Sequence, residues 1–208
     1  METTNRFRAA SVAHVAQCAT GPDGVSIAAV SVPHGAGADV RAGAIAARVV
    51  AAAAAHLEAG MVEVVRRPGR APAVLGMSGE GRVRALPVAL TVSHRLGRAV
   101  AAAHPAPRAL GIDLERSGAV PRGLERLFLG PAERCLLERH DATTLWALKE
   151  AAWKTLGLDR SIPFHALVLE CEASGALRAL HHPGGACPAR AALWRPWPRF
   201  VAALVWLP

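Results

Sequence analysis

The sequence predicts an α+β protein of two similar halves, each a mostly antiparallel sheet packed on one long helix. Two helical patterns, at residues 42–58 and 145–157, each follow a strand pattern and precede several more. Turn residues separate these short strands, and neighbouring strands joined by short turns pair antiparallel. Because 52% of the residues are hydrophobic and only 19% are charged, a disordered chain is excluded.

The N-terminal half is predicted at residues 23–108, after an N-terminal segment at 1–22 that shows no clear periodicity. Its predicted elements are strands at 25–32, 61–66, 88–93 and 98–103, the helix at 42–58 and a hairpin within 74–84. A loop rich in Pro and Ala at 104–108 marks the boundary between the halves.

The C-terminal half is predicted at residues 109–208. Its predicted elements are strands at 109–115, 164–171, 176–180, 189–194 and 199–207, helices near 121–129 and 131–139, and the helix at 145–157. The repeat of strand, helix and several strands in both halves is architectural, since their residues do not match one by one.

The net charge of +8 indicates an acidic or phosphorylated partner. The arginines are scattered, with no basic run interleaved with aromatics, which argues against nucleic acid. The four cysteines show no metal-ligand spacing, so we expect free, mostly buried thiols in a reducing compartment. No signal peptide or membrane-spanning run is present, and we expect a soluble, cytoplasmic protein without membrane contact.

The helix at 145–157 holds the only two lysines of the chain, since 24 Lys+Arg minus Lys149 and Lys154 leaves 22 arginines. Lysine is a compact ammonium whose pKa burial can change, whereas arginine stays charged. At about 100° per residue, Trp146, Lys149, Glu150, Trp153 and Lys154 share one arc beside a buried stripe. The plainer alternative is an exposed Glu150–Lys154 pair on an arginine-biased surface.

Two acids alternate with apolar residues on the strand that opens the second half. In the run Gly-Ile-Asp-Leu-Glu, strand period two places Asp113 and Glu115 on the same side of the sheet. Two close carboxylates repel each other unless a cation offsets them, and Mg²⁺ accepts one or two carboxylates with waters and phosphates. Alternatively, both acids point to solvent while Ile112 and Leu114 face the core.

Two further stretches are candidate phosphate contacts. Ser93 and His94 end a predicted strand and are followed by Arg95, which together suit a phosphate clamp. Arg70 lies in a basic loop containing Gly and Pro. A polar hairpin end and an exposed loop are the alternatives.

In this order, the basic loop, Ser-His, Gly-Ile-Asp-Leu-Glu and Trp-Ala-Leu-Lys-Glu-Ala-Ala-Trp-Lys resemble the Sfp-type 4′-phosphopantetheinyl transferases. Arg126, Phe128 and Glu133 look like the family's Arg-x-Phe…Glu element. The motifs cover residues 66–160. The chain departs from the family pattern in having Arg70 in place of lysine and a short span between Asp113 and Glu150.

The resemblance implies a Mg²⁺-dependent transferase that moves 4′-phosphopantetheine from coenzyme A to a serine of an apo acyl or peptidyl carrier protein. Its two halves would hold the active site between them. Asp113, Glu115 and Glu150 would hold the metal, and Glu150 or a metal-bound water would take the serine proton. Lys154 would stabilise charge on the pyrophosphate. Ser93, His94, Arg70 and Lys149 would contact coenzyme A.

The resemblance also supplies the acidic partner, since carrier proteins of fatty acid, polyketide or nonribosomal peptide synthesis are typically acidic. Residues 116–133 would meet it through Leu124, Leu127 and Phe128, unless these are plain core. A monomer is expected because one chain carries both halves. The alternatives are a metal-dependent phosphohydrolase using the same acids, and a binding module that has lost turnover.

Overall fold

The computed structural model describes residues 14–67, 70–106, 108–159 and 161–208, with no side-chain description for 14–18, 67 and 70. The N-terminal half consists of β1 (His14–Thr20), β2 (Ser26–Ser31), α1 (Ala38–Ala55), β3 (Val62–Arg67), β4 (Arg70–Met77), β5 (Val83–Ala85), β6 (Ala89–Arg95) and β7 (Arg98–His104). The C-terminal half consists of β8 (Leu110–Arg116), α2 (Ala142–Leu156), β9 (Val168–Cys171), β10 (Leu177–His182), β11 (Gly185–Pro188), β12 (Arg190–Trp194) and β13 (Phe200–Trp206).

The two halves repeat one topology, which confirms the predicted α+β class. In the first half the sheet β1-β2-β7-β6 accompanies a small sheet β3-β4-β5, and in the second half β8-β13-β12 accompanies β9-β10-β11. All pairings are antiparallel. Each half therefore runs strand, helix, small sheet and hairpin, and the hairpin's second strand pairs with the strand that precedes the helix.

Three apolar cores stack through the molecule. One lies between α1 and its sheet, and another surrounds α2. The third joins the halves, because Ala29, Val100 and Ala102 on one sheet share it with Ile112 and Leu204 on the other. Each of the two large sheets is therefore covered on both faces, by its own helix on one side and by the other sheet on the other.

A glycine lets α2 lie directly on β8. A Cβ at Gly111 would stand 2.1 Å from the carbonyl oxygen of Ala151 and 2.7 Å from the amide nitrogen of Thr155. The helix begins at its N-cap Asp141, which accepts from the Thr144 amide at 2.8 Å, and ends at Gly157 in the left-handed region. This close packing fixes the distance between the helix motif and the strand motif.

Several predicted elements differ from the structure. The helix predicted at 121–129 is wrong: the chain forms only one short 3₁₀ turn, Glu125–Leu127, and Gly118 and Gly123 have positive φ. Residues 131–138 form a 3₁₀ rather than an α-helix. The strands β1 and β11 had no periodic signal, and the strand predicted from 164 begins at Val168 after a 3₁₀ turn.

The described cysteine side chains, Cys135, Cys171 and Cys187, are free thiols. They are not mostly buried as predicted, since Cys135 is exposed and the other two are partly exposed. Within the described ranges, no helix is both long enough and apolar enough to span a bilayer.

Candidate active site

A cavity of about 590 Å³ opens between the two halves, where the ends of β6 and β8 meet α2 and the segment after β8. The polar residues that line it are Ser93, His94, Arg95, Asp113, Glu115, Glu150 and Lys154. The fold therefore brings together six of the eight residues predicted for the site, together with Arg95, which the sequence placed beside Ser93 and His94.

Asp113 is buried and is held by side chains from both halves. Its Oδ1 accepts from Lys154 Nζ at 2.7 Å and from Ser93 Oγ at 3.0 Å. Lys154 also donates to the Ile112 carbonyl at 3.0 Å, which anchors its ammonium at β8. Asp113 is only 3% exposed, and Ile112 and Leu114 on the opposite face of the strand are buried too, so Asp113 does not point to solvent.

Glu115 is paired with Arg95 from the end of β6. Nη1 of Arg95 donates to Oε1 at 3.0 Å and lies 2.7 Å from Oε2. The Glu115 side chain is only 8% exposed, while that of Arg95 is 46% exposed. The alternative that both acids face solvent is therefore wrong.

Glu150 completes the acidic set from α2. Its Oε2 lies 3.8 Å from Lys154 Nζ, one helical turn away, and its side chain is 32% exposed. It is the most accessible of the three carboxylates, so it is the one best placed to exchange a proton with a substrate.

Mutual repulsion and burial perturb these acids. Burial, and then the charge of Asp113, raise the pKa of Glu115 to about 7, against the opposing effect of Arg95. The same two causes raise the pKa of Glu150, while Lys154 and Arg95 lower it. Raised carboxyl pKa values in a cleft are typical of sites that bind a cation or move a proton.

The end of β6 enters the cleft through a tight hairpin. Leu96 and Gly97 both have positive φ, which a two-residue turn of this kind requires. The strand lies beside β8, since the Thr91 hydroxyl accepts from the Ile112 amide at 3.2 Å. Ser93 therefore faces Asp113, and His94, the next residue along the strand, faces Gly43 of α1.

A second groove, of about 490 Å³, continues from the first past His94 and Lys154, which line both. Arg66 adds a guanidinium there, and Pro72 and Leu158 contribute apolar surface. Gly43 of α1 makes room, since a Cβ there would lie 2.9 Å from Arg66 Nη2 and 3.0 Å from His94 Cδ2. Sequence reasoning missed Arg66. It named Arg70 instead, whose side chain lies outside the described part.

Lys149 does not belong to the site, which corrects its predicted contact with coenzyme A. Its side chain is fully buried and pairs with the equally buried Glu133 at 2.9 Å, and Nζ also donates to the Phe128 carbonyl. Glu133 in turn accepts from the Gly130 and Leu169 amides. Burial lowers the pKa of Lys149, and Glu133 opposes this effect. The pair holds residues 128–133 against α2.

The two tryptophans of α2 have a packing role. Phe164 stacks between them, with ring centroids 4.8 Å from Trp146 and 4.7 Å from Trp153. Phe128 meets Trp146 edge to face at 5.1 Å. Phe128 is therefore core, whereas Leu124 and Leu127 are exposed at the rim of the cleft.

The donor set fits a hard divalent cation. Asp113 Oδ2 and Glu115 Oε2 are buried and accept no hydrogen bond from any described residue. Within the described ranges no three or more acidic, His or Cys side chains form a group that could hold a metal ion by themselves. Mg²⁺ does not require one, since it takes one or two carboxylates and fills its shell with waters and phosphates.

No family model and no curated protein matches the chain. Solved structures do: a holo-[acyl-carrier-protein] synthase of Thermotoga maritima is 28% identical over 48% of this chain and 62% of that one, with a TM-score of 0.37. The holo-ACP synthase of Plasmodium yoelii is 15% identical over 48% of this chain and 92% of that one, also at 0.37. The chain thus spans less than two thirds of the Thermotoga enzyme. Similarity this partial assigns neither a family nor an activity to the chain, and its function has to be inferred from the residues of the site.

Proposed function

We propose that this protein is a 4′-phosphopantetheinyl transferase that uses coenzyme A to modify a serine of an apo carrier protein. One observation carries the proposal. Asp113 of the strand motif and Lys154 of the helix motif are 41 residues apart in sequence, yet they meet at 2.7 Å in a cleft between the halves that Glu115 and Glu150 also line. This is the juxtaposition that a pyrophosphate-cleaving transferase needs.

The two connected grooves suit an extended ligand with an anionic middle. His94 and Lys154 lie where the two grooves meet, and Arg66 lies in the second groove; all three can bind phosphate oxygens. We assign the phosphates of coenzyme A to this region, with the nucleotide in the second groove against its apolar residues. The pantetheine arm and the carrier serine enter the first cleft.

Bound Mg²⁺ would be held by Asp113 and Glu150, with Glu115 as the third candidate ligand, and would neutralise charge on the pyrophosphate. Lys154, held on the Ile112 carbonyl, keeps its ammonium beside the same phosphates. Ser93 fixes the orientation of Asp113 by donating to it. The protein thus acts by positioning and charge neutralisation.

Glu150 is the proposed base. With its raised pKa and partial exposure, its carboxylate accepts the proton of the serine hydroxyl. The serine oxygen then bonds to the β-phosphorus, and the bond from that phosphorus to the bridging oxygen breaks. 3′,5′-ADP leaves with the electron pair, and the carrier keeps the phosphopantetheine.

The rim of the cleft supplies the carrier contact. Leu124 and Leu127 are exposed beside the acids. The net charge of +8 would attract an acidic carrier protein to this basic chain. We propose a monomer, because both halves of one chain border the cleft.

The test is intact-protein mass spectrometry of apo acyl carrier proteins incubated with this protein, coenzyme A and Mg²⁺. The proposal expects a gain of one phosphopantetheine that is lost with EDTA and with Glu150→Gln. Folding of the variant is checked by circular dichroism. Coenzyme A hydrolysis without carrier modification would instead indicate a phosphohydrolase, and absence of coenzyme A binding would refute the assignment.

A further inference from the structure

Arg95 occupies an unusual position for a cation, directly beside the proposed metal ligands. Its guanidinium lies within 3.0 Å of both oxygens of Glu115, and its side chain is half exposed in the cavity between the two halves. Lys154 holds Asp113 in the same manner on the other side. Each buried acid of β8 therefore already has a cation of the protein.

The charges in the cleft make this pairing consequential. When all three acids are ionised, Asp113, Glu115 and Glu150 contribute three negative charges. Lys154 and Arg95 contribute two positive ones, which leaves a net charge of only 3 − 2 = 1 negative. A divalent cation is attracted far less strongly to such a site than to three free carboxylates. Arginine also stays protonated at every ordinary pH, so the opposition does not disappear on titration.

We propose that Arg95 competes with the divalent metal for Glu115, an inference that rests on the metal site of the proposed function. Asp113 and Glu150 are not paired with Arg95, so a metal can bind them without displacing it, whereas Glu115 becomes a ligand only when the guanidinium moves away. Because the Arg95 side chain is 46% exposed and lines the cavity, its guanidinium has room to move. Metal affinity is therefore set lower than the three acids alone would make it.

The experiment is a Mn²⁺ titration followed by electron paramagnetic resonance, without coenzyme A or carrier. Arg95→Gln is compared with the wild type and with Arg82→Gln. The control removes the same charge from an exposed pair with Glu80, outside the cleft lining. We expect Arg95→Gln to tighten Mn²⁺ binding by about tenfold or more relative to the control.

A second pair of variants separates competition at Glu115 from a general charge effect. In a Glu115→Gln background, Arg95→Gln should give less than half of the tightening, on a logarithmic scale, seen with Glu115 present. Equal affinities of Arg95→Gln and Arg82→Gln, weaker binding by Arg95→Gln, or half or more of the gain in the Glu115→Gln background would each overturn the inference.

The outcomes also separate this inference from the proposed function. Carrier modification with unchanged Mn²⁺ affinity in Arg95→Gln would remove the competition and keep the transferase. Tighter Mn²⁺ binding by Arg95→Gln without any carrier modification would keep the competition and remove the transferase.

Discussion

Replacing Gly111 by alanine should destabilise the protein more than an ordinary surface substitution, because α2 leaves no space for a side chain. The new Cβ would lie 2.1 Å from the Ala151 carbonyl oxygen, 2.7 Å from the Thr155 nitrogen and 2.8 Å from its hydroxyl. Two of these atoms are backbone, so no rotamer change relieves the contact.

The magnitude follows from the distances. Ordinary contact begins near 3.4 Å, so the helix and strand must separate by 3.4 − 2.1 = 1.3 Å at this point. Overpacking of this kind costs about 1–3 kcal/mol and occasionally more. We expect about 3 kcal/mol, because the Thr155 hydroxyl also bridges α2 to the Val205 carbonyl of β13.

Urea denaturation followed by circular dichroism measures the effect, with Gly60→Ala as the matched control. A Cβ at Gly60 meets nothing within 4 Å. That variant should therefore change the free energy of unfolding by less than about 0.5 kcal/mol. The same shift should move Lys154 away from Asp113 and reduce carrier modification. Equal stabilities of the two variants would refute the reasoning.

Three further predictions concern a buried pair, an acid and the rim. Lys149→Met should destabilise by about 3–5 kcal/mol, measured by urea denaturation, because it leaves the Glu133 carboxylate buried without its cation. In metal-free protein, Glu115 should make stability fall as pH rises from 4.5 to about 7, by about 3 kcal/mol in total, since its raised pKa means that the folded state binds the extra proton. That loss should be absent from the pH profile of Glu115→Gln. Leu127→Asp should raise KM for the carrier in steady-state kinetics, with KM for coenzyme A and stability nearly unchanged, because Leu127 is 64% exposed.

Each of these predictions has a result that contradicts it. A stable Lys149→Met with weakened coenzyme A binding would return that lysine to the site. A wild-type stability that rises with pH over 4.5–7, with Glu115→Gln flat, would show that Glu115 is ionised in the folded state. An unchanged carrier KM in Leu127→Asp would remove the rim from carrier recognition.

Local periodicity was sufficient for the elements that carry the motifs. Period two correctly placed Asp113 and Glu115 on one side of β8, and the pattern at 145–157 correctly predicted α2, which the structure bounds as Ala142–Leu156. The predicted helix at 121–129 failed because Gly123, which has positive φ, interrupts it. The glycine at position 111 is visible in the sequence, but the sequence does not show why it is needed. The structure does, because Ala151 of α2, 40 residues later, packs directly against it.

Helical periodicity alone could not separate the two lysines. Lys149 and Lys154 fall on one arc, yet the first is fully buried and the second reaches the cleft. The difference is decided by Glu133, which lies 16 residues before Lys149 and presents a buried carboxylate to it. A position on a helix says nothing about what packs against it.

The sequence by itself determined the fold class, the repeat of strand, helix and strands, and the residue types available for phosphate and metal chemistry. It did so because period, turn residues and side-chain chemistry are local properties. Only the tertiary structure decided that Ser93 donates to Asp113, that Arg95 neutralises Glu115 and that Lys149 is core. Each of these pairs joins residues 16 to 20 positions apart, and packing of the strands and helices sets the distances between them.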